Sequence, residues 1–116
     1  KPLFGTCAGA ILLSSDANDK RVKHFSKIPV KTTRNAFGRQ IESFIDDIEI
    51  KGFDKKYPGV FIRAPQFVKI DNNVEVLGRL KDVPVFLRYD KFMITSFHPE
   101  LTGDTRIHEY FLNMIK

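Results

Sequence analysis

Gly5-Thr6-Cys7-Ala8-Gly9 has the form Gly-x-nucleophile-x-Gly. It follows a short apolar run at 2–6 and precedes a stretch at 8–14 that reads as helical. Such a strand-to-helix turn is a nucleophile elbow. The tight turn strains the backbone at the nucleophile, and the flanking glycines remove the side-chain clashes. A sulfur at a helix N-terminus is favoured as thiolate. The backbone N–H of Ala8 would then point at a developing oxyanion. A small buried cysteine is the other reading of the same residue.

A thiol nucleophile needs a base, and the chain offers three histidines. His24 stands in a basic stretch and reads as solvated. His108 stands beside Glu109 in the last helix and reads as a surface residue. His98 follows the apolar run 91–97, at the strand end where open α/β sheets place their sites. Glu100 lies two residues on, so both side chains can project to one side of an extended backbone. A carboxylate there can orient the imidazole and stabilise its charged form. Cys7, His98 and Glu100 thus form a candidate nucleophile, base and orienting acid. A loop histidine beside an ordinary surface glutamate is the plainer alternative. Arg34 and Arg63 each end a predicted strand, and either could pair with a substrate carboxylate. Both also fit as surface arginines.

These residues need a scaffold, and the sequence predicts one rich in strands. Extended segments are expected at 2–6, 28–34, 43–50, 60–63, 66–70, 74–80, 83–88 and 91–97. Residues 15–27 read as a loop. Asn35-Ala36-Phe37-Gly38 and Tyr57-Pro58-Gly59 read as turns, and Asp71-Asn72-Asn73 and Lys81-Asp82 as breaks between strands. Asp104 is a candidate N-cap for a last helix whose apolar stripe is Ile107, Tyr110, Phe111, Met114 and Ile115. These residues alone would suggest α+β. The elbow argues for α/β, because a strand-to-helix turn of this kind needs a sheet behind it.

Composition sets the outer bounds. At 116 residues, 42% apolar and 28% charged, the chain is of globular composition and the size of one domain or part of one. No apolar run approaches the roughly 20 residues of a membrane-spanning helix. One cysteine excludes an internal disulfide and a multi-cysteine zinc site, and suits a reducing cytoplasm. The net charge is +5, with the excess concentrated in residues 1–40, which hold eight Lys or Arg against two Asp. These charges are not interleaved with aromatics as a stacking surface for nucleic acid would require, so a solvated face is the simpler reading. The chain opens at Lys1 and reaches the elbow within six residues, so an upstream segment is expected.

Gly5-Thr6-Cys7-Ala8-Gly9 with Ser96-Phe97-His98-Pro99-Glu100-Leu101 resembles the class I, or triad, glutamine amidotransferases. Arg34-Asn35-Ala36-Phe37-Gly38-Arg39-Gln40 and Phe61-Ile62-Arg63-Ala64-Pro65 narrow the resemblance. They are similar to the family of glutaminase subunits of pyridoxal 5'-phosphate synthase. Thr102, Asp104-Thr105-Arg106 and a helix holding Tyr110-Phe111-Leu112 fit it too. The resemblance implies a three-layer αβα sandwich and hydrolysis of L-glutamine to glutamate and ammonia. Cys7 would be the nucleophile, His98 the base, Glu100 its orienting acid and Ala8 the oxyanion donor. Arg34, Ile62 and Arg63 would contact glutamine. Ammonia would pass to a separate synthase subunit in a hetero-oligomer, with no metal or cofactor in the glutaminase itself. Neither nucleic acid nor membrane is an expected partner.

The sequence departs from that family in two places. The family's Leu-Gln-Gly strand and its Pro-Gly-Gly-Glu-Ser loop, which supplies a second oxyanion N–H, do not occur. Residues 26–33 lack a Gly-Gly pair expected before the arginine strand. We therefore expect residues 1–116 to be the C-terminal part of a single amidotransferase domain, without its N-terminal strands. The alternatives are another triad amidotransferase subunit, or a non-catalytic interaction module keeping the fold. The 34–40 and 61–65 stretches argue against the first.

Overall fold

Alternating apolar residues drive this chain into sheets, and two sheets pack face to face. The computed structural model describes residues 3–6, 14–16, 28–33, 43–62 and 66–114. Nine strands are described: β1 (Leu3–Thr6), β2 (Ser14–Asp16), β3 (Ile28–Thr33), β4 (Ser43–Ile50), β5 (Tyr57–Ile62), β6 (Gln66–Ile70), β7 (Glu75–Leu80), β8 (Val83–Tyr89) and β9 (Phe92–Thr95). A 3-10 turn at Pro99–Leu101 and one helix, α1 (Arg106–Met114), follow.

The larger sheet has the order β1-β9-β8-β7-β4-β5, and the smaller β2-β3-β6. β1 pairs parallel with β9, Thr6 opposite Thr95, so both strands end at the same edge. The other pairings of the larger sheet are antiparallel. One face of this sheet carries the main core, in which Tyr57, Phe61, Phe86 and Phe97 are fully buried. α1 closes that face with Ile107 buried and Tyr110, Phe111 and Met114 packed behind it. The predicted stripe is therefore core; Ile115 lies outside the described residues. The opposite face packs Leu87 and Ile94 against Val30 and Phe67 of the smaller sheet.

Several expectations are corrected. Ser14 ends the stretch read as helical and 15–16 begin the stretch read as loop, yet Ser14–Asp16 is a strand, held by parallel pairing with β3. The rest of 8–13 and 17–27, with the turn at 35–38, lies outside the described residues. Tyr57-Pro58-Gly59 is not a turn but the first half of β5, paired with Ile48, Asp47 and Asp46. β5 is an edge strand, where a missing N–H is tolerated. Gly59 is needed there because a Cβ would meet the Phe61 ring at 2.8 Å. The break at Lys81-Asp82 is a two-residue hairpin turn with both residues at positive φ, 47° and 72°.

The helix cap is displaced by one residue. Glu109 N–H bonds to the Thr105 carbonyl, so Thr105 holds the cap position. Asp104, one residue earlier, still accepts the Arg106 N–H at 3.1 Å, which is the work expected of it.

Candidate active site

The end of β9 is locked before it reaches any polar chemistry. Thr95 and Ser96 are fully buried, and the Thr95 hydroxyl donates to the Phe97 carbonyl at 2.9 Å. Phe97 then plugs the core, its ring 5.6 Å from Phe61 and 5.9 Å from Tyr57. The next residue, His98, donates its backbone N–H to the Val60 carbonyl at 2.7 Å. Pro99 is buried, and the chain turns through Leu101 N–H to the His98 carbonyl at 3.1 Å.

This turn brings the Glu100 side chain back onto the imidazole. His98 Nδ1 lies 2.6 Å from Glu100 Oε2. Burial pushes the Glu100 carboxyl up. The hydrogen bond to His98, a backbone N–H and the His98 and His108 imidazoles together outweigh that, and the group is held below its ordinary value. Glu100 is thus an anion at neutral pH and can only accept. The shared proton must sit on Nδ1, which in a neutral imidazole leaves Nε2 with its lone pair. His98 is mostly covered, its side chain 22% exposed, while Glu100 is half open to solvent.

The predicted partners fall into two groups. Ile62 ends β5 and is 39% exposed. It lies two residues beyond Val60, whose carbonyl holds His98, so the end of β5 runs beside the His98 turn. Cys7, Ala8, Arg34 and Arg63 lie outside the described residues. β1 ends at Thr6, immediately before Cys7 in sequence, on the sheet edge where β9 ends. Phe4 fastens β1 to α1, its ring 5.4 Å from Phe111 and 6.2 Å from His108. His108 is accordingly half-buried against Phe4 and not a surface residue. His24 lies outside the described residues. The contribution of Val60 was missed by sequence reasoning, since any residue type offers a carbonyl.

Fold and site together define a class. A solved structure described as "Crystal structure of glutamine amidotransferase" superposes on 97% of this chain and 60% of its own, with a TM-score of 0.91 and 48% identity. The architecture is therefore the α/β fold of the class I glutamine amidotransferases, as expected. The model of the SNO glutamine amidotransferase family matches residues 1–116, and the chain belongs to that family. The chain is 54% identical to pyridoxal 5'-phosphate synthase subunit PdxT of Thermosipho africanus, over 99% of this chain and 61% of the relative. It is 49% identical to the subunit of that name from Thermoplasma acidophilum, over 99% of this chain and 56% of the relative. The chain thus spans about three-fifths of the length of these relatives. Among the described residues no helix is long and apolar enough to cross a membrane.

Proposed function

We propose that this chain carries the catalytic half of a glutaminase that supplies ammonia to a pyridoxal 5'-phosphate synthase. The observation that carries the reading is the 2.6 Å bond between His98 Nδ1 and Glu100 Oε2, at the end of β9, in a chain of this family. In the proposed reaction His98 Nε2 takes the thiol proton of Cys7, and the thiolate attacks the side-chain amide carbon of L-glutamine. The Ala8 N–H stabilises the oxyanion. His98 returns its proton to the leaving ammonia, and water then cleaves the thioester to release glutamate. Glu100 holds the imidazole tautomer throughout. Arg34, Ile62 and Arg63 are assigned to the bound glutamine, with the guanidinium fork suited to its α-carboxylate.

Support for the partner comes from the relatives, which are named as subunits of a synthase. The ammonia acceptor is accordingly a synthase subunit in a hetero-oligomer. We read residues 1–116 as the C-terminal part of one amidotransferase domain, and a reducing cytoplasm as the compartment that suits the lone Cys7.

The test is ammonia release from L-glutamine by the native polypeptide, with and without a synthase subunit. Release that is stimulated by the subunit and lost in Cys7→Ala is expected. Equal release by Cys7→Ala would rule the mechanism out.

A further inference from the structure

The segment that carries Glu100 is held at both ends by β5 and the loop that leads into it. Upstream, the His98 N–H is bonded to the Val60 carbonyl. Downstream, Arg106 reaches across to the loop residues just before β5. Its Nη1 donates to the Lys55 carbonyl at 2.9 Å and its Nη2 to the Lys56 carbonyl at 3.0 Å. Nε also donates to Asp104 Oδ1 at 3.0 Å and Nη2 to Asp104 Oδ2 at 2.6 Å. The Tyr57 hydroxyl donates to the Asp104 carbonyl at 3.2 Å. The guanidinium lies 4.9 Å from the Phe53 ring centre and 5.6 Å from that of Tyr57.

None of this machinery is consumed by the proposed chemistry, yet its placement is specific. Residues 99–103, including Glu100, span the gap between two anchors, one on Val60 of β5 and the other on Tyr57 and the two residues before it. A planar fork is suited to grip a carboxylate while bonding two neighbouring carbonyls; an ammonium cannot reproduce that pattern. Tyr57 is fully buried, so its hydroxyl fixes the Asp104 carbonyl against a rigid wall. Arg106 touches neither Glu100 nor His98, yet it fastens the downstream end of the turn that carries Glu100.

We infer that Arg106, with Asp104 and Tyr57, is a positioning clamp that holds the 99–103 turn at the depth where Glu100 meets His98. Arg106 is a positioning residue, acting through Glu100. The inference deepens the proposed glutaminase reading and rests on it for its catalytic consequence, but not for its structural one.

The test uses the native polypeptide with its synthase partner, in Arg106→Lys and Tyr57→Phe forms. Two quantities are read: the kcat and KM for glutamine, and the low-field proton resonance of His98 Nδ1–H in histidine-labelled protein. Arg106→Lys is expected to lower kcat on the order of ten- to a hundred-fold, the scale of a misplaced catalytic group. KM should stay within about two-fold, and the His98 resonance should shift toward that of an unpaired imidazole. Tyr57→Phe should move both quantities in the same direction by less. If Arg106→Lys fails to fold, Tyr57→Phe carries the test. An unmoved His98 resonance and kcat in the folded variants, with only a lowered Tm, would overturn the clamp and leave Arg106 a structural residue. If the resonance shifts but the wild-type protein never releases ammonia, the clamp stands and the glutaminase reading falls.

Discussion

The two ends of β9 are built on opposite plans. At its start the chain reverses within two residues, Asp90 and Lys91, and the device is local. Asp90 takes a left-handed φ of 56°, and Arg88 donates to its carbonyl at 3.2 Å. At its finish local bonds are joined by distant ones. The His98 N–H is held by Val60, and Arg106 by Lys55 and Lys56, about 40 to 50 residues away in sequence. A turn that only has to reverse the chain can be written in a dipeptide. A turn that has to hold a carboxylate against an imidazole draws on the far edge of the sheet.

The contrast can be broken first at its functional end. His98→Ala should lower ammonia release on the order of 100- to 10,000-fold, the usual worth of a general acid–base, with folding intact. A steady-state assay on the native polypeptide with its partner checks it. The next effect is on stability. Phe97→Ala removes a fully buried ring packed against Tyr57, Phe61 and Phe86, and should cost about 3–5 kcal/mol. Urea unfolding at neutral pH measures that loss.

A smaller effect lies at alkaline pH. Burial first, then the Asp104 charge, push the Tyr57 phenol up to about 12, against the opposing pull of Arg106. The folded protein therefore keeps this proton where the unfolded chain has lost it. The stabilisation is fully present below pH 10 and fades as pH rises from 10 to about 12. A phenolate absorbance step near 12 is expected, absent from Tyr57→Phe. The smallest effect belongs to the local end. Asp90→Gly relieves a left-handed residue and removes no carbonyl acceptor, so stability should change by less than about 1 kcal/mol and activity not at all. Thermal unfolding and the ammonia assay together check it. A large loss there would erase the distinction between the two ends.

The same contrast explains what the sequence made legible. The 43–50 strand, the break at Lys81-Asp82 and the α1 stripe as far as Met114 follow from patterns spanning a few residues, and each is found. The His98 and Glu100 pair was legible from its two-residue spacing, although the chain joins the two through the 99–101 3-10 turn and not along the extended backbone expected. Tyr57-Pro58-Gly59 was misread, because turn-forming residues were recruited to an edge strand by pairing with β4. The grip of Val60, Lys55 and Lys56 was invisible, because a backbone carbonyl carries no residue signature. Asp104 was read as the cap and stands one residue before it, still accepting the Arg106 N–H; its larger partnership with Arg106 and Tyr57 emerges only once β5 is folded against the α1 entrance.

The account stands or falls on a nucleophile at Cys7 served by His98. The direct measurement is covalent labelling of the native polypeptide, with its partner, by an electrophilic glutamine analogue, followed by peptide mapping. The account predicts modification at Cys7, protection by L-glutamine, and labelling slowed severely in His98→Ala. Labelling elsewhere, or at Cys7 with no protection by glutamine and no dependence on His98, would contradict it.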